Sequence, residues 1–376
     1  MKTIRVGIVG FGYMGKMHAM SYDVLRYYYK MNVNVQLYAV STQKRPEELP
    51  VAFKKIYADY HELIADPLVD VVDICMPNIY HKGILVEAMK HNKYIYCEKP
   101  LALNLSDSKE VMEALAKYNY NKTNRVTFEY RFVPAIIRAK ALIREGAIGK
   151  IIHFNCKYYG SEFLDPRRPI SWQSTKASSG GGVLYALGTH SIDIIRYLIG
   201  EVDSVWAMKH THFTERPVKS NPDKTEKVEI EDIVNAQIVC RNGALGNLML
   251  SQVAAGAGID FYIEIYGEKG AIKFSQENPN VLMFFDNTEV KIPNGGISGY
   301  KAIETMQKYD NAAVFPPPRV NITWSRYHIA SVYDFIAAVG EDRKSSPDIR
   351  DGYEVMKITD AIYRSCESGM IERIEV

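Results

Sequence analysis

The chain lacks long apolar runs and strong net charge, and each absence excludes a class of protein. No apolar stretch approaches the roughly 20 residues that a membrane-spanning helix needs. Lys and Arg number 46 against 44 Asp and Glu, and a formal net charge of +2 gives no sign of a nucleic-acid or membrane surface. Neither a signal peptide nor an internal repeat is visible. We therefore expect a cytoplasmic protein.

Cysteines are few, and they are scattered without the spacing of metal ligands. They are Cys75, Cys97, Cys156, Cys240 and Cys366. Most of them lie in apolar or strand-like surroundings, which is typical of reduced thiols. The sequence thus predicts free thiols and no metal site.

Length and element pattern together predict two domains. A chain of 376 residues is too long for one compact core. Apolar strands alternate with amphipathic helices in the first third, which predicts a parallel sheet covered on both faces. The pattern changes near residue 123, and the strands that then follow one another predict an antiparallel sheet. We predict an α/β domain over 1–123 and an α+β domain over 124–376, whose C-terminal helices are able to pack back on the first.

In the first domain we predict strands at 4–9, 33–41, 69–75 and 94–97, with a further strand at 125–128 just past its boundary, and helices at 14–29, 59–65, 82–91 and 106–118. In the second we predict helices at 134–145, 183–198, about 324–340 and 350–368. Its predicted strands are 151–159, 202–212, 229–240, 244–252, 260–266, 270–275, 281–285 and 288–292, which form one large, open and mostly antiparallel sheet. Residues 214–228 are polar and charged, and we expect an exposed loop there.

A glycine motif follows the first predicted strand and opens the first predicted helix. In such a Gly-x-Gly-x-x-Gly turn the first glycine permits the bend, the second lets backbone approach a pyrophosphate, and the third packs helix on strand. Free N–H groups at the helix start then face the phosphates. This context predicts a Rossmann domain that binds a dinucleotide, and glycines needed only for packing are the alternative. The binding residues predicted here are Gly10, Phe11, Gly12, Tyr13, Met14 and Gly15.

The segment after the second predicted strand carries no acidic residue. NAD binding usually uses an Asp or Glu there for the ribose 2′-hydroxyl. This chain instead has Ser41 and Thr42 followed by Lys44 and Arg45, which suit a 2′-phosphate better. We therefore favour NADP over NAD, with a solvated basic loop and NAD binding as the alternative.

Pro77, Asn78 and His81 follow the predicted strand 69–75. Ligands of doubly wound sheets sit outside the carboxyl ends of the strands, so we predict these residues near the cofactor. Asn78 is equally suited to cap the following helix.

Glu98, Lys99 and Pro100 follow the predicted strand 94–97. A lysine at the carboxyl end of a strand can reach a substrate hydroxyl while its proline neighbour fixes the backbone. The alternative is a surface ion pair, which spacing alone favours.

Three glycines, 180–182, open the predicted helix that carries His190 and Asp193 three residues apart. Histidine is the natural general base near neutral pH, although a helical histidine is more commonly only a satisfied polar residue. The glycine turn favours a functional role, because it allows close approach of a ligand or of backbone.

These motifs, in this order and spacing, resemble the Gfo/Idh/MocA oxidoreductase family over nearly the whole chain. The resemblance rests on residues 10–15, 77–81, 98–100, 130–134, Trp172 and 179–193. It implies an N-terminal Rossmann domain and a C-terminal α/β domain whose open sheet often forms the oligomer interface, so a homo-oligomer (dimer or tetramer) is expected. It also implies pyridine-nucleotide-dependent oxidation or reduction of a sugar, polyol or related alcohol.

The resemblance further implies roles for single residues. Lys99 matches the family's catalytic lysine and His190 its catalytic histidine. Apart from the resemblance, we expect Asp193 to help these two residues. Glu98 and Lys99 are also expected beside the cofactor. The expected substrate contacts are Tyr130, Arg131, Tyr158, Trp172, Gln173, Tyr185 and His190.

The chain departs from the family pattern at two positions. The family usually has Asp four residues before the histidine, where this chain has Ala186. That change removes a proton acceptor or an orienting carboxylate, and Asp193 or Tyr185 are the candidates to replace it. The family also often has Arg after the tryptophan, and Gln173 here points away from a substrate carboxylate or phosphate at that spot.

We expect a NAD(P)-dependent dehydrogenase or reductase that acts on a carbohydrate alcohol. One alternative is a redox-neutral, NAD-dependent glycoside-cleaving enzyme on the same scaffold, which would show no net cofactor turnover. Another is a nucleotide-binding regulator without catalysis, which Ala186 suggests and the retained Lys99 and His190 argue against.

Overall fold

The computed structural model describes residues 1–44, 46–290, 292–306, 313–315 and 320–375. The chain divides into two compact units, one of Met1–Phe132 with Lys308–Met356 and the other of Val133–Gln307 with Lys357–Val376. The bounds 1–123 and 124–376 stay a prediction.

The α-helices of the described residues are α1 (Tyr13–Tyr28), α2 (Tyr60–Ala65), α3 (His81–Lys90), α4 (Leu105–Lys117), α5 (Pro134–Arg144), α6 (Lys176–Ser179), α7 (Thr189–Leu198), α8 (Trp324–Glu341) and α9 (Ile349–Ser368).

A parallel sheet of six strands forms the centre of the first unit. Its strands are β1 (Lys2–Val9), β2 (Val33–Ser41), β3 (Lys55–Tyr57), β4 (Val71–Ile74), β5 (Tyr94–Cys97) and β6 (Asn124–Val126). Their spatial order is β3-β2-β1-β4-β5-β6. The chain adds β2 and β3 on one side of β1 and then adds β4, β5 and β6 on the other side, so the strand order reverses between β1 and β4. That reversal is the switch point of a dinucleotide-binding sheet, so the predicted Rossmann domain is confirmed.

Helices cover both faces of this sheet, which explains its apolar strands. Every residue of β4 is buried. On one face α1 packs beside α8, and one apolar core joins Ile8 of β1, Leu25 of α1 and Phe335 of α8. The chain thus returns more than 200 residues later to finish this core.

A mixed sheet dominates the second unit. Its strands are β7 (Ile151–Gly160), β8 (Val202–His210), β11 (Ile233–Cys240), β12 (Leu245–Ser251), β13 (Ile259–Gly267), β14 (Gly270–Ser275), β15 (Val281–Asp286), β16 (Lys301–Glu304) and β17 (Glu372–Arg373). Only the β7–β12 pair is parallel among the described pairs, so the predicted open, mostly antiparallel sheet is confirmed. On β7, Phe154, Cys156 and Tyr158 are buried and alternate with more exposed residues, so one face of the sheet carries the core.

Three local predictions for the second unit are corrected. Residues 288–290 and 292 form no strand, and β15 pairs with β14 on one side and with β16, which was not predicted, on the other. Residues 214–228, predicted as a loop, contain the hairpin β9 (Glu215–Val218) and β10 (Asn221–Lys227), whose second strand is exposed throughout. The helix predicted at 183–198 begins instead as a π-helical turn over Leu184–Gly188 before α7.

Within the described ranges, no helix is long and apolar enough to cross a membrane.

Candidate active site

A cavity of about 590 Å³ opens at the carboxyl edge of the parallel sheet, where β1 and β2 end. Six residues predicted from the sequence line it: Gly10, Phe11, Gly12, Ser41, Thr42 and Lys44. Seven residues that were not predicted to bind the cofactor complete the lining: Val9, Gln43, Ala58, Asp59, Tyr60, Met76 and Tyr80. This edge is where doubly wound sheets bind nucleotides.

Glycine stands at each of the three positions of the first turn for a different physical reason. Gly10 has φ of +91°, and a Cβ there would lie 2.7 Å from the carbonyl oxygen of Cys75. A Cβ on Gly15 would lie 2.3 Å from the carbonyl oxygen of Gly10, so this glycine lets helix and strand pack. A Cβ on Gly12 would meet no atom within 4 Å. The protein itself therefore does not require glycine at position 12, and the open space there fits a bound pyrophosphate.

Gly12→Val is expected to abolish dinucleotide binding and leave the fold intact, because the added side chain would enter that open space. Titration with NAD and NADP by fluorescence measures the affinity, and thermal unfolding measures the stability. Gly15→Ala is the matched control, in which stability should fall because the methyl group meets backbone. Near-normal affinity of Gly12→Val would remove residues 10–15 from phosphate binding.

The end of β2 offers hydroxyls and a cation to the cavity. Ser41 is buried, and the Thr42 hydroxyl accepts a hydrogen bond from the backbone N–H of Lys44 at 3.2 Å. The Lys44 ammonium lies 5.8 Å from the centre of the Phe11 ring. Arg45, predicted to bind the cofactor, lies outside the described residues.

The acidic residue that does line the cavity comes from a different element. Asp59 is the N-cap of α2, and its carboxylate accepts a hydrogen bond from the N–H of His61 at 2.9 Å. Its position gave a signal for a helix start but none for a cofactor contact.

Hydrogen bonds of the residues after β4 stabilise the loops at the carboxyl edge of the sheet. His81 is buried, and its two ring nitrogens lie 2.8 Å from the carbonyl oxygens of Met76 and Pro100. Burial lowers the pKa of His81. Asn78 opens a short 3-10 turn, and the N-cap position of α3 belongs to Tyr80. Cofactor contact by Pro77, Asn78 and His81 stays a prediction, since the cavity lining does not include them.

Lys99 stands just beyond the end of β5. The loop is fixed by the N–H of Glu98, which donates to the carbonyl of Ile74 at 2.9 Å. A carboxylate oxygen of Glu98 in turn accepts the backbone N–H of Lys99 at 3.2 Å. Burial lowers the pKa of Lys99, against the opposing effects of Glu98 and Glu129. Because Glu98 is buried and Lys99 is half-buried, they form no surface ion pair. The Lys99 amine is easier to deprotonate than that of an exposed lysine.

In the second unit, the glycines before His190 pack against protein groups. A Cβ on Gly181 would lie 2.1 Å from the Tyr363 hydroxyl, and one on Gly182 would lie 2.1 Å from the Glu231 carbonyl. The close approach that these glycines allow is thus to backbone and side chain of the protein.

Glu231 anchors the π-helical turn, and the sequence gave no signal for it. Its buried carboxylate accepts the N–H groups of Gly182 and Leu184 at 3.0 to 3.2 Å and the hydroxyl of Tyr363 at 2.9 Å. Burial raises the pKa of Glu231. A carboxylate at this point caps the start of the segment that carries His190.

His190 is buried in the first turn of α7, and Asp193 is fully buried one turn later. The Tyr158 ring centre lies 6.4 Å from that of His190. Tyr185 is buried on the π-helical turn, and Ala186 beside it is half-buried. A π-helical turn inside a helix frequently marks a functional site.

The other predicted substrate contacts differ in exposure. Tyr130 is buried, and the Arg131 guanidinium engages Asp351 at 3.1 Å and the Ser346 hydroxyl at 3.0 Å within the first unit. Trp172 is 44% exposed on a 3-10 turn that Ser171 caps. The Gln173 amide oxygen accepts from Arg168 at 3.4 Å. Their contact with a substrate stays a prediction.

Comparison with known proteins identifies the class. Residues 4–124 match the NAD-binding Rossmann fold of the Gfo/Idh/MocA oxidoreductase family, and residues 140–376 match the C-terminal alpha/beta domain of the same family. The chain belongs to this family. It is an oxidoreductase whose first unit has the family's NAD-binding fold.

Sugar and polyol dehydrogenases are among its relatives. Levoglucosan dehydrogenase of Pseudarthrobacter phenanthrenivorans is 32% identical over 97% of this chain and 96% of that protein. A solved structure of a levoglucosan dehydrogenase in complex with NADH and levoglucosan matches with a TM-score of 0.92 at 31% identity, covering 100% of both chains. Myo-inositol 2-dehydrogenase of Thermotoga maritima is 30% identical over 72% of this chain and 74% of that protein.

Proposed function

We propose that this protein transfers a hydride between a nicotinamide dinucleotide and a secondary alcohol or ketone of a sugar, polyol or glycoside. The observation that carries the proposal is the cavity where β1 and β2 end, in which Gly12 leaves open space for a pyrophosphate. Lys99 lies half-buried just beyond the end of β5, at the same carboxyl edge of the sheet. When bound, the nicotinamide ring accepts or supplies the hydride.

The residues of this chain have separate roles in the proposal. Backbone at Gly10, Gly12 and the start of α1 holds the pyrophosphate. The Lys99 ammonium donates a hydrogen bond to the reacting oxygen and so polarises it. His190 takes the hydroxyl proton during oxidation and returns it during reduction, with Asp193 as a helper. Tyr158, Trp172, Gln173 and Tyr185 are proposed to contact the sugar.

A spectrophotometric screen tests the proposal. Sugars, polyols, glycosides and anhydrosugars are offered with NAD and with NADP, and the nicotinamide absorbance is followed. Levoglucosan and myo-inositol are the first probes, because relatives similar over most of this chain are dehydrogenases of these compounds. We expect reduction of the cofactor with at least one carbohydrate. Cleavage of a glycoside without any change in absorbance would instead indicate a redox-neutral enzyme.

We propose a preference for NADP, which rests on the missing acid at the end of β2. Changing Lys44 and Arg45 together to Ala should weaken NADP binding far more than NAD binding. Each lost charge-assisted hydrogen bond to a 2′-phosphate contributes roughly 1.5–3 kcal/mol, or about tenfold to a hundredfold in affinity. Dissociation constants for both cofactors measure this. Lys54→Ala, at an exposed lysine of the same unit, is the control. An equal loss for both cofactors would contradict a 2′-phosphate contact.

Ala186→Asp is expected to give no gain in kcat. An added carboxylate near His190 would need a partner and would favour the protonated imidazole, which cannot accept a proton. Steady-state rates across pH on the best substrate of the screen measure the effect, and Ala186→Asn separates charge from size. A large gain would show that the family's missing carboxylate has not been compensated by Asp193 or Tyr185.

We also propose a homo-oligomer that associates through the outer face of the large sheet. The centre of this face carries Asn155, whose amide donates to Glu264 on the neighbouring strand at 3.0 Å. Trp206 and Met208 at one side are 40% and 61% exposed. A mixed polar and aromatic surface of this kind is typical of interfaces between subunits.

A further inference from the structure

A buried histidine lies behind the proposed catalytic lysine, and no motif of the sequence pointed to it. His18 is fully buried on α1. One ring nitrogen lies 2.9 Å from a carboxylate oxygen of Asp73 on β4. The other lies 3.0 Å from a carboxylate oxygen of Glu98, the residue before Lys99. Both ring nitrogens thus face a carboxylate, and only the doubly protonated imidazolium can donate a hydrogen bond to each of them.

We propose that His18 is a positioning residue that keeps the Glu98 carboxylate charged and in place, and thereby keeps the Lys99 amine protonated for the reacting oxygen. The inference deepens the proposed function, since it rests on the role of Lys99. His18 reaches the substrate only through Glu98 and Lys99.

The charges of the cluster support an effect of His18 on Glu98 and, through Glu98, on Lys99. Burial by itself would lower the pKa of His18, but Asp73 raises it well above the usual value. Burial by itself would raise the pKa of Glu98, but His18 lowers it below the usual value. The two groups therefore stabilise each other's charged forms, as buried ions must.

The groups around this pair are uncharged or balanced. Burial raises the pKa of Glu129 to about 8, with Glu98 adding to the effect, so this acid is protonated at neutral pH. Burial lowers the pKa of His328 to about 3, so this ring is neutral. The cluster therefore contains two carboxylates, Asp73 and Glu98, and two cations, His18 and Lys99, whose charges balance. The other titratable groups near the cluster include Tyr22, Cys75, His81, Tyr96 and Cys97.

Removing the imidazolium has a defined consequence. Glu98 would then be a buried carboxylate without the cation that lowers its pKa, and burial would favour its neutral form. A neutral Glu98 no longer favours the charged amine of Lys99. An opposite charge at close range shifts a pKa by about one to three units, so Lys99 should lose its proton at a pH lower by about one unit or more.

A metal ion is the competing use of these side chains. Among the described residues, His18, Glu98 and His328 offer ligand atoms that all lie within 4.8 Å of one another. A ligating nitrogen must be deprotonated, whereas carboxylates on both sides of His18 favour the doubly protonated ring. The geometry therefore favours the proton over a metal.

The experiment measures the protonation of Lys99 without using catalysis. Trace acetylation with acetic anhydride across pH, followed by peptide mass spectrometry, gives the midpoint of amine reactivity at Lys99. His18→Gln and Glu98→Gln are each expected to lower this midpoint by about one pH unit or more. His91→Gln is the matched control, because its imidazole also lies 3.1 Å from a carboxylate, that of Glu87, but at the surface. Unchanged midpoints in both buried variants would overturn the inference.

Wild-type protein supplies an independent test that does not depend on a variant folding. With ¹⁵N-labelled histidine, the His18 ring should give imidazolium shifts at pH 8, where an ordinary histidine is neutral. A neutral His18 ring would overturn the inference. Failure of the proposed function looks different. In that case the Lys99 midpoint moves in the variants while the alkaline limb of kcat does not follow it.

Discussion

Changing His190 to Asn is expected to lower kcat by about a hundredfold to ten-thousandfold, the usual contribution of a general acid–base group. Asn fills a similar space and keeps hydrogen bonding, but it cannot take or return a proton at neutral pH. Because His190 is proposed to act on the alcohol, the dissociation constants of NAD and NADP should stay near their wild-type values.

Steady-state rates on the best substrate and fluorescence titration of both cofactors check this expectation. His210→Asn is the control, since it makes the same change at an exposed histidine of the same unit. Wild-type turnover of the His190 variant would remove this residue from the mechanism. A loss of cofactor affinity together with kcat would indicate a structural role.

Lys99→Met is expected to lower kcat by at least about a hundredfold. The methionine has nearly the length of the lysine stem but cannot donate a hydrogen bond to the reacting oxygen. The pH profile of the wild-type enzyme provides a second expectation. Burial lowers the pKa of Lys99 below the usual 10.5, and the protonated amine is the active form, so kcat should fall as pH rises through that lowered pKa.

The measurement is kcat across pH for wild type, Lys99→Met and Lys99→Arg. Lys99→Arg keeps the charge at every accessible pH, so its residual activity should lose the alkaline limb. Lys90→Met, at an exposed lysine of the same unit, is the control and should keep both rate and profile. An alkaline limb that survives in Lys99→Arg would assign it to another group.

Local signals made part of the fold predictable. The strands Val33–Ser41 and Tyr94–Cys97 were predicted to the residue, because their apolar runs are bounded by polar turns. The hairpin of β9 and β10 was not predicted, since β10 is exposed throughout and has no apolar alternation. The strand predicted at 288–292 was wrong over 288–290 and 292, and the unpredicted strand β16 lies beside β15 at this edge of the sheet. At the edge of a sheet, the turn after a strand decides which later segment pairs with that strand. A short apolar stretch does not predict this pairing.

The residues of the candidate site also divide into those that the sequence predicted and those that only the structure revealed. The glycine turn was readable because each of its three requirements is met within six residues. The residues after β2 that line the cavity were predicted in part. Asp59 and Tyr60 were not predicted, because they lie at the start of α2 and reach the cavity only in the folded chain. The roles predicted for Lys99 and His190 came from resemblance. Spacing alone favoured a surface ion pair of Glu98 and Lys99, and burial of Glu98 argues otherwise.

The sequence by itself determined the alternation of strand and helix in the first unit, the Rossmann turn and the family, because these depend on periodicity and on motifs that close over a few residues. Tertiary structure decided which distant groups meet. His18 lies 55 residues from Asp73 and 80 from Glu98, and Glu231 lies 49 residues from Gly182. Burial then fixed the charge of these groups, because a carboxylate or an imidazole removed from water takes its protonation state from the few neighbours that the fold provides.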